Sequence, residues 1–387
     1  MNIMQISDAC TGCGLCEATC SVTAIRMSPD ERGFLHPTVD AGKCTDCGLC
    51  IRKCPASVPP QVLAHTDVLA GYAKDETLWP LSSSGAIFPV FAAEIIRRGG
   101  IVFGAAFDAN FNVVHTAAET IPELTALCGS KYVQSRIEAD CYAAVKAALS
   151  RGRWVYFSGM PCQVAALKSY LGRDYETLIT QDTACHSVPS PMVWEKYTSE
   201  LETQHGSKLT AFSFRHKATG WEGYHILAEF EDGSQVSQPA AENPYQRGFI
   251  KGLYSRNSCF SCKFKGIERC SDITLTDYWG AKGLQPEIYN PQGTSLILLH
   301  SENGRRLFEA CKEQLKTRSA AEAAFSFNSA VLAPIKKPAR YDMFWAGYGQ
   351  EPFDKLVAAC CEPTKEELDR ARREKSLLGR VISRLKR

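Results

Sequence analysis

Eight cysteines in the first 54 residues fall into two runs of identical spacing, and no other feature constrains the chain as tightly. The first run is Cys10-x2-Cys13-x2-Cys16-x3-Cys20; the second is Cys44-x2-Cys47-x2-Cys50-x3-Cys54, followed by Pro55. Three cysteines two residues apart let a short loop wrap one face of an iron–sulfur cube. The fourth points away and ligates the other cube. The spacing therefore assigns Cys10, Cys13, Cys16 and Cys54 to one 4Fe-4S cluster, and Cys44, Cys47, Cys50 and Cys20 to a second. Structural zinc is the competing reading, but zinc sites use isolated Cys-x2-Cys pairs with a long spacer. Gly12, Gly14 and Gly48 suit clusters, because small residues let backbone N–H groups approach sulfide. Ser21 stands where a proline usually follows the first run, which alters a turn and removes no ligand.

The N-terminal residues 1–8 show no basic segment followed by an apolar core, and no run of about 18 apolar residues occurs. The sequence thus predicts a cytoplasmic protein. In that compartment thiols stay reduced, so the 18 cysteines are not a disulfide framework. A chain of 387 residues with 45% hydrophobic and 22% charged residues fits an ordinary globular protein of two or more units. A net charge of +2 argues against a polyanion-binding surface, so no nucleic acid is expected as a partner.

Pro59-Pro60 marks the end of a two-cluster ferredoxin-like unit at residues 1–62. Beyond it, helical and strand-like segments alternate. Residues 85–98 read as a helix, with Ser82-Ser83-Ser84 as N-cap candidates and Gly99-Gly100 as its stop. Residues 101–107 read as a buried strand turning at Asp108-Ala109-Asn110 into Val113-Val114. A helix at 138–150, a strand at 154–157 and a helix at 162–171 follow, with later strands near 209–214, 224–230 and 271–276. The expected fold is α/β with a mixed sheet over residues 70–345, α+β overall once the N-terminal unit is counted. Residues 350–387 read as a C-terminal tail. From Arg370 to Arg387 it holds eight Lys/Arg and one acid, with Leu377, Leu378, Val381, Ile382 and Leu385 on one helical face. Such a basic amphipathic helix suits peripheral contact with the inner membrane surface or a partner, against the plainer reading of a frayed tail.

Four further cysteines stand apart. Cys162 lies where the 154–157 strand gives way to a helix, Cys185 follows the next apolar segment, and Cys259-x2-Cys262 sits in a loop beside Lys263 and Lys265. Strand-end loops gather at one edge of an α/β sheet, so these four could meet. A single cysteine is most often a small buried hydrophobe. Cys270 could replace one of the four, and zinc is the alternative at Cys259 and Cys262. Cys128, Cys141, Cys311, Cys360 and Cys361 show no ligand spacing and read as structural. Ser84-Gly85, opening a helix, offers free N–H groups to a phosphate, and Lys131 beside Gly129 offers a positive charge, although most such caps are only caps.

A succession of motifs then becomes recognisable: Ser82-Ser83-Ser84-Gly85, Gly129-Ser130-Lys131-Tyr132, Ser158-Gly159-Met160-Pro161-Cys162-Gln163, Cys185-His186, Cys259-x2-Cys262 and Ser271 to Gly280. With the N-terminal unit, the chain resembles the beta-subunit family of deazaflavin coenzyme (F-420) hydrogenases and dehydrogenases. Ala86 and Thr276 stand where the family commonly has glycine. The resemblance implies a non-covalent FAD and a third 4Fe-4S cluster held by Cys162, Cys185, Cys259 and Cys262. It places the flavin among Ser83, Ser84, Gly85, Gly129, Ser130, Lys131, Tyr132, Ser158 and Gln163. His186, Arg215, His216, Trp221 and Tyr278 are candidates for a substrate pocket. Each cluster passes one electron and a hydride carrier handles two, so a flavin joins them. The expected function is an iron–sulfur flavoprotein oxidoreductase between a small-molecule hydride donor or acceptor and a redox partner protein, either a ferredoxin or a partner subunit. The alternative is a non-catalytic electron-relay subunit.

Overall fold

The computed structural model describes residues 2–63 and 67–363, together with 365, 368 and 369. The cysteine runs fold as two matching loops. Each passes through a left-handed glycine, Gly14 at φ 75° and Gly48 at φ 72°, into a short helix, α1 (Leu15–Thr19) and α2 (Leu49–Lys53). An antiparallel hairpin of β1 (Ile25–Pro29) and β2 (Leu35–Val39) joins the repeats.

The main body is built on a mixed sheet. In chain order its strands are β3 (Asp67–Ala73), β4 (Ile101–Phe107), β5 (Val113–Ala118), β6 (Val155–Gly159) and β7 (Leu178–Thr183). A separate antiparallel sheet follows, of β8 (Leu209–His216), β9 (His225–Phe230) and β10 (Gln235–Pro239). The chain then re-enters the first sheet as β11 (Ile273–Asp277), β12 (Ser295–Leu299) and β13 (Leu315–Ser319). The spatial order is β13-β3-β12-β11-β7-β6-β4-β5. Its centre, β4, β6, β7 and β11, is parallel, and the flanking pairs are antiparallel. Apolar central strands buried on both faces dictate this: Val155 and Phe157 join the core on one side, Tyr156 the core on the other. Helix α3 (Ile87–Arg97) covers one face. After the short α4 (Leu124–Leu127), helices α5 (Ala139–Ser150) and α6 (Pro161–Leu171) cover the other. Leu15 of the N-terminal unit is buried in that second core, contributing about 1.5–3 kcal/mol and fixing the unit against the sheet.

The three-strand sheet packs with α7 (Pro191–His205) and α8 (Pro244–Lys251) around an aromatic core centred on Trp194, Tyr245 and Tyr254. The helix Phe353–Cys361 buries Phe353, Leu356 and Val357 in the same core. The basic tail at 370–387 lies outside the described residues. Among those described, no helix is long and apolar enough to cross a membrane.

The serine caps are a correction. Helix α3 starts at Ile87, and its N-cap is Ala86 at φ 59°, with no side-chain cap. Ser83 Oγ instead pairs with Ser130 Oγ at 2.8 Å, and Ser84 Oγ donates to the Thr294 carbonyl at 3.1 Å. Gly85 passes so close to β3 that a Cβ there would stand 2.5 Å from the Gly71 carbonyl, so the chain clears the strand before it can coil.

Candidate metal and cofactor centre

The carboxyl ends of the parallel strands carry the chemistry. Strand β6 delivers Cys162 into the first turn of α6, whose Pro161 is preset for that position. Strand β7 delivers Cys185, and a 3-10 turn at Asn257–Ser261 delivers Cys259, with Cys262 directly after it. All four thiols line one cavity of about 60 Å³, room for several heavy atoms where a single water needs about 10–15 Å³. Burial pushes Cys162 well above its ordinary value, and the charges of Cys185, Cys262, Cys259 and Cys13 push it further. Burial likewise raises Cys185 to about 11, opposed by Lys265, and Cys259 to about 12. Cys270 does not join them; it is buried in the core, facing the charges of Asp182 and Lys168.

The N-terminal thiols group in the same manner. Burial raises Cys13 to about 12, and Cys10 and Cys54 raise it further; Cys16 feels Cys13, Cys10 and Cys54 after its own burial. Cys20 and Cys50 share a small core with Cys16 and Cys54, so the two runs pack against each other. Backbone N–H groups donate to sulfur in both places: Gly12 to Cys10 and Ala24 to Cys20 at 3.4 and 3.3 Å, Val188 to Cys259 and Phe264 to Cys262 at 3.4 Å each. Such donors stabilise thiolates bound to iron. Among the described residues, no group of three or more His, Cys, Asp or Glu could hold a metal ion. Two buried guanidiniums on the cavity wall, Arg256 and Arg269, keep N–H groups with no hydrogen-bond partner among the described residues, and a sulfide-rich anion would fit them.

A larger cleft of about 430 Å³ opens beside this cavity, within the usual range for a ligand site. Ser83, Ser84, Gly129, Ser130, Lys131, Tyr132, Ser158 and Gln163 line it; Gly85 does not, being turned into the sheet. Gln163 fixes the strand-end loop by accepting from Met160 N at 2.8 Å and donating to Ser135 O at 3.3 Å. The Lys131 ammonium is held by the carbonyls of Ala126 and Cys128, each at 2.7 Å, and burial lowers it to about 8. Burial lowers His115 to about 4, so it is neutral: its Nε2 donates to Ser158 O at 3.1 Å and its Nδ1 accepts from Ser135 Oγ at 2.6 Å.

Of the pocket candidates, His186 and Arg215 line the cleft, while His216, Trp221 and Tyr278 do not. Tyr278 is buried in a separate core, where its hydroxyl donates to Gln285. Trp221 lies beneath Trp279, ring against ring at 4.7 Å. Sequence reasoning missed Trp279 and Asp277, which do line the cleft. Asp277 receives both terminal nitrogens of Arg215, at 2.7 and 3.2 Å. Cys128, read as structural, also lies on the cleft wall. The cleft and the cysteine cavity share a partition: Thr11, Cys162, Cys185 and Val188 line both.

Paired cysteine loops on a mixed α/β body mark an iron–sulfur redox protein. Residues 9–58 match the family model of a 4Fe-4S dicluster domain, and residues 152–323 match that of the C terminus of the coenzyme F420 hydrogenase/dehydrogenase beta subunit. Over these two stretches the chain is similar to that family's C-terminal part and to a 4Fe-4S dicluster domain. A chain of the F420-reducing NiFe hydrogenase complex from Methanosarcina barkeri, in a xenon-derivatised structure, is similar at 15% identity. The match covers 81% of this chain and 94% of that one, with a TM-score of 0.45. No curated protein matches the chain.

Proposed function

We propose that the protein is an iron–sulfur flavoprotein oxidoreductase, moving electrons between a hydride carrier in the cleft and a one-electron partner at the N-terminal unit. A deazaflavin is the carrier the family suggests. The observation that carries this reading is the shared partition. Cys162 and Cys185 belong to both cavities, and Cys162 in turn lies within electrostatic reach of Cys13. Cleft, four-cysteine cavity, inner cysteine set and outer cysteine set thus form a series.

Bound in the cleft, FAD would supply the junction between two-electron and one-electron carriers. The chain's own residues prepare that place. Lys131 sets a positive charge on the wall, which favours an electron-rich ring. Gln163 and Ser158 hold the loop between cleft and cavity, the Ser158 hydroxyl donating to Gln181 at 3.2 Å. His186 presents a ring nitrogen, Nε2, with no hydrogen-bond partner among the described residues. The ligands would be Cys162, Cys185, Cys259 and Cys262 for the third cluster, with the two N-terminal sets as their spacing assigns them.

Anaerobically purified protein should hold about twelve irons and about twelve sulfides, as three 4Fe-4S clusters require, and release FAD on denaturation. About eight irons with FAD present would remove the third cluster from the scheme. Zinc in place of iron, or no flavin, would sink the reading itself.

A further inference from the structure

Four cationic residues line the four-cysteine cavity: Arg256, Lys263, Lys265 and Arg269. The lysines are satisfied by carbonyls, Lys263 by Ala56 at 3.2 Å and Lys265 by Ala330 at 2.7 Å and by Cys185. Arg256 differs from them. It is 2% exposed, yet its NH1 has no hydrogen-bond partner among the described residues. A buried guanidinium that keeps a free N–H is costly unless something else accepts from it.

The placement of Arg256 explains what that could be. Its backbone belongs to the turn that carries the cavity thiols: Cys259 N donates to Arg256 O, and Arg256 N to Val188 O, at 2.9 Å each. Val188 N is itself the donor to Cys259 sulfur. The Arg256 side chain reaches the other way, into the N-terminal unit. Nε donates to Cys10 O at 2.7 Å, and NH2 donates to Leu35 O and faces His36 Nε2, both at 2.9 Å. The free NH1 lies beside the Cys10–Cys13 loop, 2.9 Å from where a Cβ on Gly12 would be. One residue therefore ties the turn of Cys259 to the loop of Cys10 and leaves a buried cation between the two thiol sets.

Resting on the third cluster proposed above, we propose that Arg256 is a positioning residue shared by two clusters, one on Cys162, Cys185, Cys259 and Cys262 and one on Cys10, Cys13, Cys16 and Cys54. Its NH1 donates to sulfur, and its charge favours the reduced, more negative form of both. Net charge and hydrogen bonds to sulfur set cluster potentials, so the cation raises both. Lysine cannot replace it fully, because a compact ammonium does not hold Cys10 O and reach the NH1 position together.

The test is a redox titration of the whole anaerobic protein followed by electron paramagnetic resonance, with iron counted per chain. Arg256→Gln should move the midpoint potentials of both inner clusters negative. Arg256→Lys should keep full iron and shift them the same way, by less. Lys263→Gln, an exposed cation on the same wall, should shift neither comparably. Either Arg256 variant with full iron and unchanged potentials would overturn the proposal. Loss of iron from Arg256→Lys would also overturn it, by reducing Arg256 to a structural tether. A third cluster missing from the unaltered protein is a separate result, and it overturns the proposed function instead.

Discussion

The two cysteine runs share a spacing and a local fold, and differ in their surroundings. The first is built into the body of the protein: Tyr142 donates to Cys13 O at 2.8 Å, Arg256 holds Cys10 O, and Leu15 is buried among α5 and α6. The second faces outward, with Cys47 exposed and its thiol lowered by the Leu49 backbone N–H. The third position of each run is the clearest contrast. Gly12 and Asp46 both adopt a left-handed conformation, φ 70° and 49°. A side chain at Gly12 would strike Gln134 Nε2 and stand 2.9 Å from Arg256 NH1, whereas Asp46 carries one into solvent. Local spacing fixes how each loop could wrap a cluster, and the surroundings leave one loop enclosed by the body of the protein and the other open to solvent.

The largest expected effects come from breaking one set at a time. Cys13→Ala and Cys47→Ala should each cost about four irons, one 4Fe-4S cluster. Their consequences for transfer should differ. With Cys13 gone, a hydride donor should no longer reduce the outer cluster, and the fold should lose stability where Tyr142 and Leu15 dock. With Cys47 gone, the clusters nearer the cleft should still be reduced, and only delivery to an external acceptor should stop. Anaerobic stopped-flow spectra with iron analysis would read both. Equal arrest of the inner clusters in the two variants would erase the distinction between inner and outer sets.

A smaller effect, on stability, sharpens the same contrast. Gly12→Ala meets the left-handed penalty of about 1–2 kcal/mol and an overpacking cost of about 1–3 kcal/mol against Gln134 and Arg256. Its Tm should fall by several degrees. Asp46→Ala, in the same conformation but facing solvent, meets no overpacking cost and loses exposed contacts to Asn2 and Cys44 together with aspartate's tolerance of that conformation, so its Tm should fall less. Thermal unfolding under argon is the measurement, and comparable losses at the two positions would mean that enclosure does not set them apart.

How much of this was legible in the sequence follows from how local each signal is. The cysteine loops were legible because ligand spacing is a property of a dozen neighbouring residues. The strand from Ile101 to Phe107 and the helix beginning at Cys162's turn were legible through apolar runs and their stop residues. The serines before α3 misled because their partners, Ser130 and Thr294, lie 47 and 210 residues away. Strand alternation explains two of the wrong pocket residues. Arg215 and His216 are neighbours on β8, and only Arg215 faces the cleft; after β11, Tyr278 turns into a core while Trp279 meets the cleft. Arg256 carried no motif at all, since its importance comes from two segments more than 200 residues apart.

The contrast between enclosed and open charge recurs at the cleft edge, and there it predicts a pH dependence. Lys217, just beyond β8, is 3% exposed and donates to Ser84 O at 3.0 Å and Gln292 O at 2.5 Å, tying the serine loop to the β11–β12 connection. Burial, and then the charge of Arg215, lowers its amine from 10.5 to about 7. In the unfolded chain the amine stays protonated to about pH 10.4. Between those limits the unfolded state binds more protons than the folded one, so this group makes stability rise with pH from about 7 towards 10. Below about 7 both states are charged and the slope vanishes, with the burial penalty fully present. Lys217→Met removes the difference, so the gap in Tm between parent and variant should widen in the parent's favour from about pH 7 to about pH 9. The effect is the smallest of the three and is read by thermal unfolding at matched ionic strength. Parallel profiles for parent and variant would show that the amine titrates as freely as one in solvent.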